Sequence, residues 1–270
     1  MKKTYLTVLS SESYLPGVII LHNSLQKHCH IGLTVLCRDD LNEKVFRTLT
    51  SLGISWIVMH DDVLPDTVKN ASPNERAQKF GEWERTFFKL KMFELDRFEK
   101  IVYLDSDMIV VGNIDDLFDY PDMSAVPDSL FYCKRTEDIN SGILVFIPKT
   151  DFVGGIQSEL LDQWNEGRYP FGDQEIISRY WRKQQIPDSH HLPLEYNAAV
   201  SRMHLYKPHI KPKVYHYVNH YKPWNMKYGY FARVCYSMIH LRFQTAGALL
   251  IAYFANQKML KNLKEVGMEF

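Results

Sequence analysis

Two hydrophobic periods alternate along the chain. Tyr5-Leu6-Thr7-Val8-Leu9 is an apolar run rich in strand formers, which predicts a β-strand. Ser10-Ser11-Glu12-Ser13 follows, a polar turn of helix-capping residues. From Tyr14 to His28 the period changes, with Leu15, Val18, Ile19 and Leu25 at helical spacing. Leu33–Cys37 predicts a second strand, Leu41–Leu52 a second helix closed by Gly53, and Ile54–Met59 a third strand. This alternation implies a parallel sheet flanked by helices, with ligands bound beyond the carboxyl ends of its strands. Thr7, Leu9, Ser10 and Tyr14 are then expected to face a ligand. Tyr14 would either stack on a base or simply cap the helix.

His60 to Gly81 is a long polar loop. Trp83–Arg97 predicts a helix with Phe87, Leu90, Phe93 and Leu95 apolar, and Lys89 lies in the half expected to approach the sheet. Ile101–Leu104 predicts a buried strand that runs into Asp105, Ser106 and Asp107, with the apolar run Met108–Val111 behind. Carboxylates at an apolar strand end are costly unless a cation compensates them, which points to a divalent metal carrying a diphosphate. Met123–Asp128 reads as a strand and 129–138 as a loop. Ile139–Gly142 reads as a polar tight turn entering an apolar strand that ends at Phe146. Gly142 there permits a close backbone approach. Phe152–Trp164 predicts a helix, and Asp173 opens the next one, as its cap or as a site acid. His190–Asn197 reads as extended, Lys213–Tyr217 as a last strand, and the chain beyond Phe231 as helical.

With 270 residues the chain is close to the ~250–300 at which a single core stops growing. One domain over 1–230 with a helical extension over 231–270 is expected. That extension would pack on the domain, form a homodimer or rest on a membrane surface. Lysine plus arginine and aspartate plus glutamate number 32 each, so no overall basic field argues for nucleic acid. The four cysteines show no CxxC pair, which disfavours a thiolate metal site and suits a reducing compartment. Met1-Lys2-Lys3-Thr4 leads directly into a strand, so a cytoplasmic location is expected. The run Ala246–Phe254 falls well short of the ~20 apolar residues that span a bilayer.

Several motifs then agree in order: YLDSDMIVVGNIDDLF at Tyr103–Phe118, NSG at Asn140–Gly142, GDQ at Gly172–Gln174, LPLEYN at Leu192–Asn197 and HYVNHYKPW at His216–Trp224. In these the chain resembles glycosyltransferase family 8, and within it the glycogenin-like branch, from about Thr4 to Asn225. The resemblance implies an α/β GT-A fold, a single Rossmann-like domain with a mixed, mostly parallel sheet. It also implies retaining transfer of a hexose, glucose in that branch, from a UDP-sugar to a carbohydrate or protein hydroxyl, with Mn2+ or Mg2+. Carried onto this sequence, Asp105, Asp107 and His216 would ligate the metal, while Lys222, Lys89 and the backbone near Asn219 would meet the diphosphate. Thr7, Leu9 and Tyr14 would hold uracil and ribose, with the Ser106 backbone against the ribose. Asn140 and Ser141 would approach the sugar, Asp173 would bind its hydroxyls, and Gln174 would sit beneath the anomeric carbon.

Carboxylates with an imidazole suit Mn2+ or Mg2+ independently of any resemblance. Three positions depart from the family pattern: Asn219 stands where glycine is usual, Pro170 replaces an acid, and Arg76, Lys79 and Arg85 compete for one basic position. Tyr196, Tyr206 and Tyr215 are candidates for self-glucosylation. A catalytically silent sugar-nucleotide binder or scaffold is the rival reading, and the intact motif residues count against it.

Overall fold

The computed structural model describes residues 2–64, 66–72, 81–132, 137–167, 172–218, 222–225 and 229–268. A six-stranded sheet forms its centre. Strands β1 (Lys3–Leu9), β2 (Leu33–Arg38), β3 (Ser55–Met59) and β4 (Lys100–Leu104) pair in parallel. A second, three-stranded sheet has β9 (Val214–His216) between β5 (Met108–Val110) and the short β8 (Ala198–Ala199). In the main sheet, β6 (Ser124–Pro127) and β7 (Ile139–Phe146) are antiparallel additions, giving the order β3-β2-β1-β4-β7-β6.

Both faces of the main sheet are covered, which explains the near-continuous apolar runs. Alternation along β1 sends Tyr5 and Leu9 to one apolar cluster and Leu6 and Val8 to the other. On the first face lies helix α1 (Leu15–His28), together with α2 (Glu43–Ser51). Asn42 caps α2, its side chain accepting from the Lys44 N–H at 2.9 Å. Helices α5 (Thr150–Asn165) and α6 (Asp173–Lys183) cover the second face; two short helices, α3 (Asp66–Lys69) and α4 (Asp128–Tyr132), precede them.

The last two helices, α7 (Gly229–Ile239) and α8 (Phe243–Glu265), form a hairpin. Through Ala248, Leu249, Ala252, Met259 and Leu263, α8 enters the α1-side core. It is tied there by Tyr217 Oη donating to the Ala248 carbonyl at 2.7 Å and Asn262 Nδ2 donating to Asn23 Oδ1 at 3.0 Å. Among the described residues no helix is long and apolar enough to cross a membrane.

Four expectations are corrected. Gly81–Glu94 is a 3-10 segment rather than an α-helix, and every residue from Phe87 to Phe93 is buried. A stretch buried on every side lacks the single apolar stripe of a surface helix. Asn140, Ser141 and Gly142 are not a turn but lie within β7, all buried, because that strand end faces polar partners instead of solvent. His190–Asn197 contains a 3-10 turn at Leu194–Tyr196. Part of the expected 129–138 loop is the end of α4, and its residues 133–136 lie outside the described residues.

Candidate active site

The site forms where β4 ends. Tyr103 and Asp105 are two residues apart and share a strand face, and the Tyr103 hydroxyl donates to Asp105 Oδ1 at 2.6 Å. The chain then turns, with Met108 N–H donating to the Asp105 carbonyl at 3.2 Å, and leaves the main sheet as β5. Pairing of β5 with β9 puts Met108 opposite His216. The second sheet therefore carries an imidazole from over a hundred residues away to the two acids.

His216 Nε2 lies 3.6 Å from Asp105 Oδ2 and 3.2 Å from Asp107 Oδ1. One ligand atom from each residue falls within a sphere of contacts no longer than 4.8 Å. The other imidazole nitrogen, Nδ1, is 2.9 Å from Asn197 Oδ1, so the amide oxygen accepts its N–H and Nε2 is aimed at the acids. Asn197 Nδ2 in turn donates to Asn140 Oδ1 at 2.7 Å. Gly142 lies beneath the ring: a Cβ there would meet His216 Cε1 at 2.5 Å. The donor set, the direction of Nε2 and the missing Cβ fit a divalent metal ion.

Two lysines balance the acids. Lys222 pairs with Asp107 Oδ2. Burial works against the Asp107 charge, but His216 and Lys222 outweigh it and hold its carboxyl well below the usual carboxylate range. Burial also opposes the Lys222 charge, and Asp107 overcomes it, raising the ammonium. Lys89 is deeper. Its ammonium donates to Asp105 Oδ1 (3.2 Å), Ser141 O (2.8 Å) and Ser141 Oγ (3.1 Å), and pairs with Asp173 Oδ2 (2.8 Å). Desolvation alone would lower its pKa; Asp105 and Asp173 reverse the direction. Four protein acceptors already meet its three protons.

Asp173 is the first residue of α6, and the preceding cap is Gly172 at φ 88°, a left-handed backbone that glycine adopts freely. Asp173 therefore sits inside the helix instead of capping it. Ser141 Oγ donates to Asp173 Oδ2 at 2.9 Å. The Gln174 carboxamide oxygen accepts from Asn140 Nδ2 at 3.0 Å and from the Ser141 N–H at 3.3 Å.

Lys89, Asp105, Asp107, Asp173 and Lys222 border an open cleft of about 510 Å3 that Ser10 and Tyr14 also line, while His216, Asn140, Ser141 and Gln174 stand behind its lining. Lys222 Nζ stands 5.8 Å above the Tyr14 ring, whose edge meets Trp224 at 5.6 Å between centroids. Ser106 lines the cleft, and its carbonyl is so close to α1 that a Cβ on Gly17 would meet it at 2.5 Å.

Thr7 and Leu9 differ from expectation: their side chains are fully buried, because strand alternation turns both into the α1-side layer, and Val8 lines the cleft instead. Asn219, Pro170, Arg76 and Lys79 lie outside the described residues, whereas Arg85 lines the cleft. Tyr103, Thr86, Ser11 and Asn197 were not singled out. Tyr103 could have been, from its two-residue offset to Asp105. Asn197 had no local signal, since only the fold brings it to His216. Of the acceptor candidates, Tyr196 Oη donates to Asp116 Oδ2 at 2.6 Å, and Tyr206 Oη donates to the Phe131 carbonyl at 2.8 Å.

The model for glycosyl transferase family 8 matches residues 5–227. Human glycogenin-1 is 29% identical over 234 residues, 84% of this chain and 63% of the human protein. Glycogenin-1 of Caenorhabditis elegans is 28% identical over 245 residues, covering 83% and 51%. The chain thus spans about three-fifths and half of these relatives' lengths. Among solved structures, glycosyltransferase GlyE of Streptococcus pneumoniae aligns with a TM-score of 0.60 at 19% identity, covering 100% of this chain and 66% of that one. The galactosyltransferase LgtC, solved with donor and acceptor sugar analogs, gives 0.55 at 16% identity, covering 92% and 96%. The structural likeness is one of fold: an α/β sheet, mixed and mostly parallel, flanked by helices in the GT-A arrangement.

Proposed function

The chain belongs to glycosyl transferase family 8, and from that premise we propose that it is a retaining glycosyltransferase using a UDP-hexose. The observation that carries this reading is the meeting of Asp105, Asp107 and His216, ligand atoms within 4.8 Å of one another, at a cleft flanked by Lys89 and Lys222. Glucose is the proposed sugar, supported by the likeness to glycogenin-1.

The two carboxylates and the His216 Nε2 would hold Mn2+, with Mg2+ as the alternative. Once bound, the ion neutralises charge that builds on the diphosphate as UDP leaves. Lys222 adds a point charge to the same oxygens when the donor draws it from Asp107. Thr7 and Leu9 act through their backbone at the base end, beside Tyr14, and Ser106 likewise presents backbone to the nucleotide. Lys89, its donors taken, holds Asp105 and Asp173 in place instead of reaching the diphosphate. Asp173 accepts from the sugar hydroxyls, with Asn140 and Ser141 alongside.

The C1–phosphate bond breaks with its electron pair leaving on the phosphate. The acceptor oxygen bonds to C1 on the same face, and its proton passes to the departing phosphate oxygen. Gln174 Oε1 faces the opposite side of the anomeric carbon. Two N–H groups already bond that oxygen, which suits electrostatic support of an oxocarbenium-like sugar better than covalent attack. The acceptor is a hydroxyl of a carbohydrate or a protein supplied from outside the cleft. Self-glucosylation at Tyr196 or Tyr206 is disfavoured by their internal hydrogen bonds.

Release of UDP from a panel of UDP-sugars, with and without Mn2+, tests the reading. Metal-dependent release, greatest with UDP-glucose, is expected. Absence of turnover with every UDP-sugar would leave the silent binder as the better account. Full Mn2+-dependent activity in Asp107→Ala would remove the ligand assignment.

A further inference from the structure

The outer surface of the C-terminal hairpin departs from the rest of the protein in both charge and polarity. Between Gly229 and Lys264 the chain carries Arg233, Arg242, Lys258, Lys261 and Lys264 and no aspartate or glutamate, although acids and bases balance over the whole sequence. Among its described residues, α7 buries only Tyr230 and Ser237. The turn that joins it to α8 presents large apolar side chains to solvent: Ile239 is 76% exposed, Leu241 74% and Phe243 57%, interleaved with His240 and Arg242.

This surface continues along α8. Phe243, Leu250, Phe254, Lys258 and Lys261 recur at helical spacing on one exposed stripe, with Phe254 66% exposed. The opposite stripe (Ala248, Leu249, Ala252, Met259) is the one buried in the core. The helix therefore has two apolar faces, of which the fold uses one. Phe254 and Lys258 also border a second cleft, of about 400 Å3, with Ile20 and Ile109 on its floor and Lys27 at its rim. An apolar floor under two ammonium groups matches a molecule that is greasy at one end and anionic at the other.

A continuous apolar surface on a soluble domain marks an interaction site. Its basic fringe of Arg233, Arg242, Lys258, Lys261 and Lys264 meets one acid within the two helices, Glu265, 3.8 Å from Lys261. That excess of positive charge selects among partners. We propose that the outer face of the α7–α8 hairpin docks on an anionic phospholipid bilayer, with Ile239, Leu241 and Phe243 entering the headgroup and acyl boundary. Lys258 and Lys261 then lie against the anionic headgroups. The docking is peripheral, since no described helix can cross the bilayer.

Co-sedimentation of the full chain with phosphatidylcholine vesicles, with and without phosphatidylserine, tests this. Binding is expected only with phosphatidylserine, and weaker at high salt because the charges are screened. Ile239→Ser with Leu241→Ser should weaken it at least about tenfold through lost apolar burial. Lys258→Glu with Lys261→Glu should weaken it by about the same factor or more. Far-ultraviolet circular dichroism and an unchanged melting temperature verify that these surface variants fold. Absence of wild-type binding to phosphatidylserine vesicles overturns the proposal. So does a stable dimer that the Ile239→Ser, Leu241→Ser pair dissociates while vesicle binding is unaffected, because the apolar tip would then meet a second copy.

Discussion

Substituting Gly142 by alanine is the sharpest single perturbation of the metal cluster. The new methyl would lie 2.5 Å from His216 Cε1 and 2.9 Å from His216 Nδ1, whereas carbon atoms rest about 3.5–4.0 Å apart. Relief needs a displacement of about 1 Å. The ring has little room to supply it: Asn197 Oδ1 holds Nδ1 at 2.9 Å, and the Phe131 ring packs beside it at 5.4 Å between centroids. The same methyl would come within 2.9 Å of Asn140 Oδ1, which Asn197 also uses. Ligand distances in a metal site tolerate about 0.2 Å, so a shift of that size removes the imidazole from the ligand set. Loss of a supporting partner commonly costs about 10–100-fold in metal affinity or activity, and Gly142→Ala should cost at least the upper end of that range. Calorimetric titration of Mn2+ into the variant measures affinity directly, and UDP release from UDP-glucose measures activity. A parallel melt confirms that the variant is folded. A folded Gly142→Ala protein with wild-type Mn2+ affinity would refute the claim that the missing Cβ makes room for the ligand.

Lys89→Met should destabilise the fold by about 3 kcal/mol in urea denaturation, because it leaves Asp105 and Asp173 without their shared buried cation. If stability is unchanged, Lys89 is not what holds the two acids together. Gln174→Ala should lower kcat for UDP-sugar turnover by about 100-fold with a smaller change in KM, since its oxygen is proposed to act on the transition state. An unchanged kcat excludes that role. Burial, and secondarily Lys258, depress the His22 imidazole below its usual 6.5, so the unfolded chain takes up that proton first as pH falls. This contribution to stability is complete above about pH 6.5 and declines below it until the folded-state value is reached. Denaturation midpoints between pH 7 and 5 should show a shallower decline in His22→Gln than in the wild type.

The sequence by itself determined the local elements and the chemistry they carry. Apolar runs rich in strand formers marked β1, β2 and β4 as strands, and the acids after Leu104 stood out because carboxylates at the end of a buried strand need a cation. Resemblance from about Thr4 to Asn225 supplied the family and the list of site residues. Periodicity misread Trp83–Arg97, since its run from Phe87 to Phe93 is buried throughout and has no amphipathic period to report. It also misread Asn140–Gly142, whose polar residues suggested a turn although they pair inside the protein. Only the tertiary structure decided which groups are already engaged. It spends every Lys89 donor on protein acceptors, turns Thr7 and Leu9 into the core, and brings Asn197 to His216. These outcomes depend on contacts between residues far apart in the chain, and no local pattern encodes where two distant strands will meet. The same holds for α8: its sequence shows apolar and basic residues mixed together, and packing against α1 alone determined which apolar stripe became core and which remained at the surface.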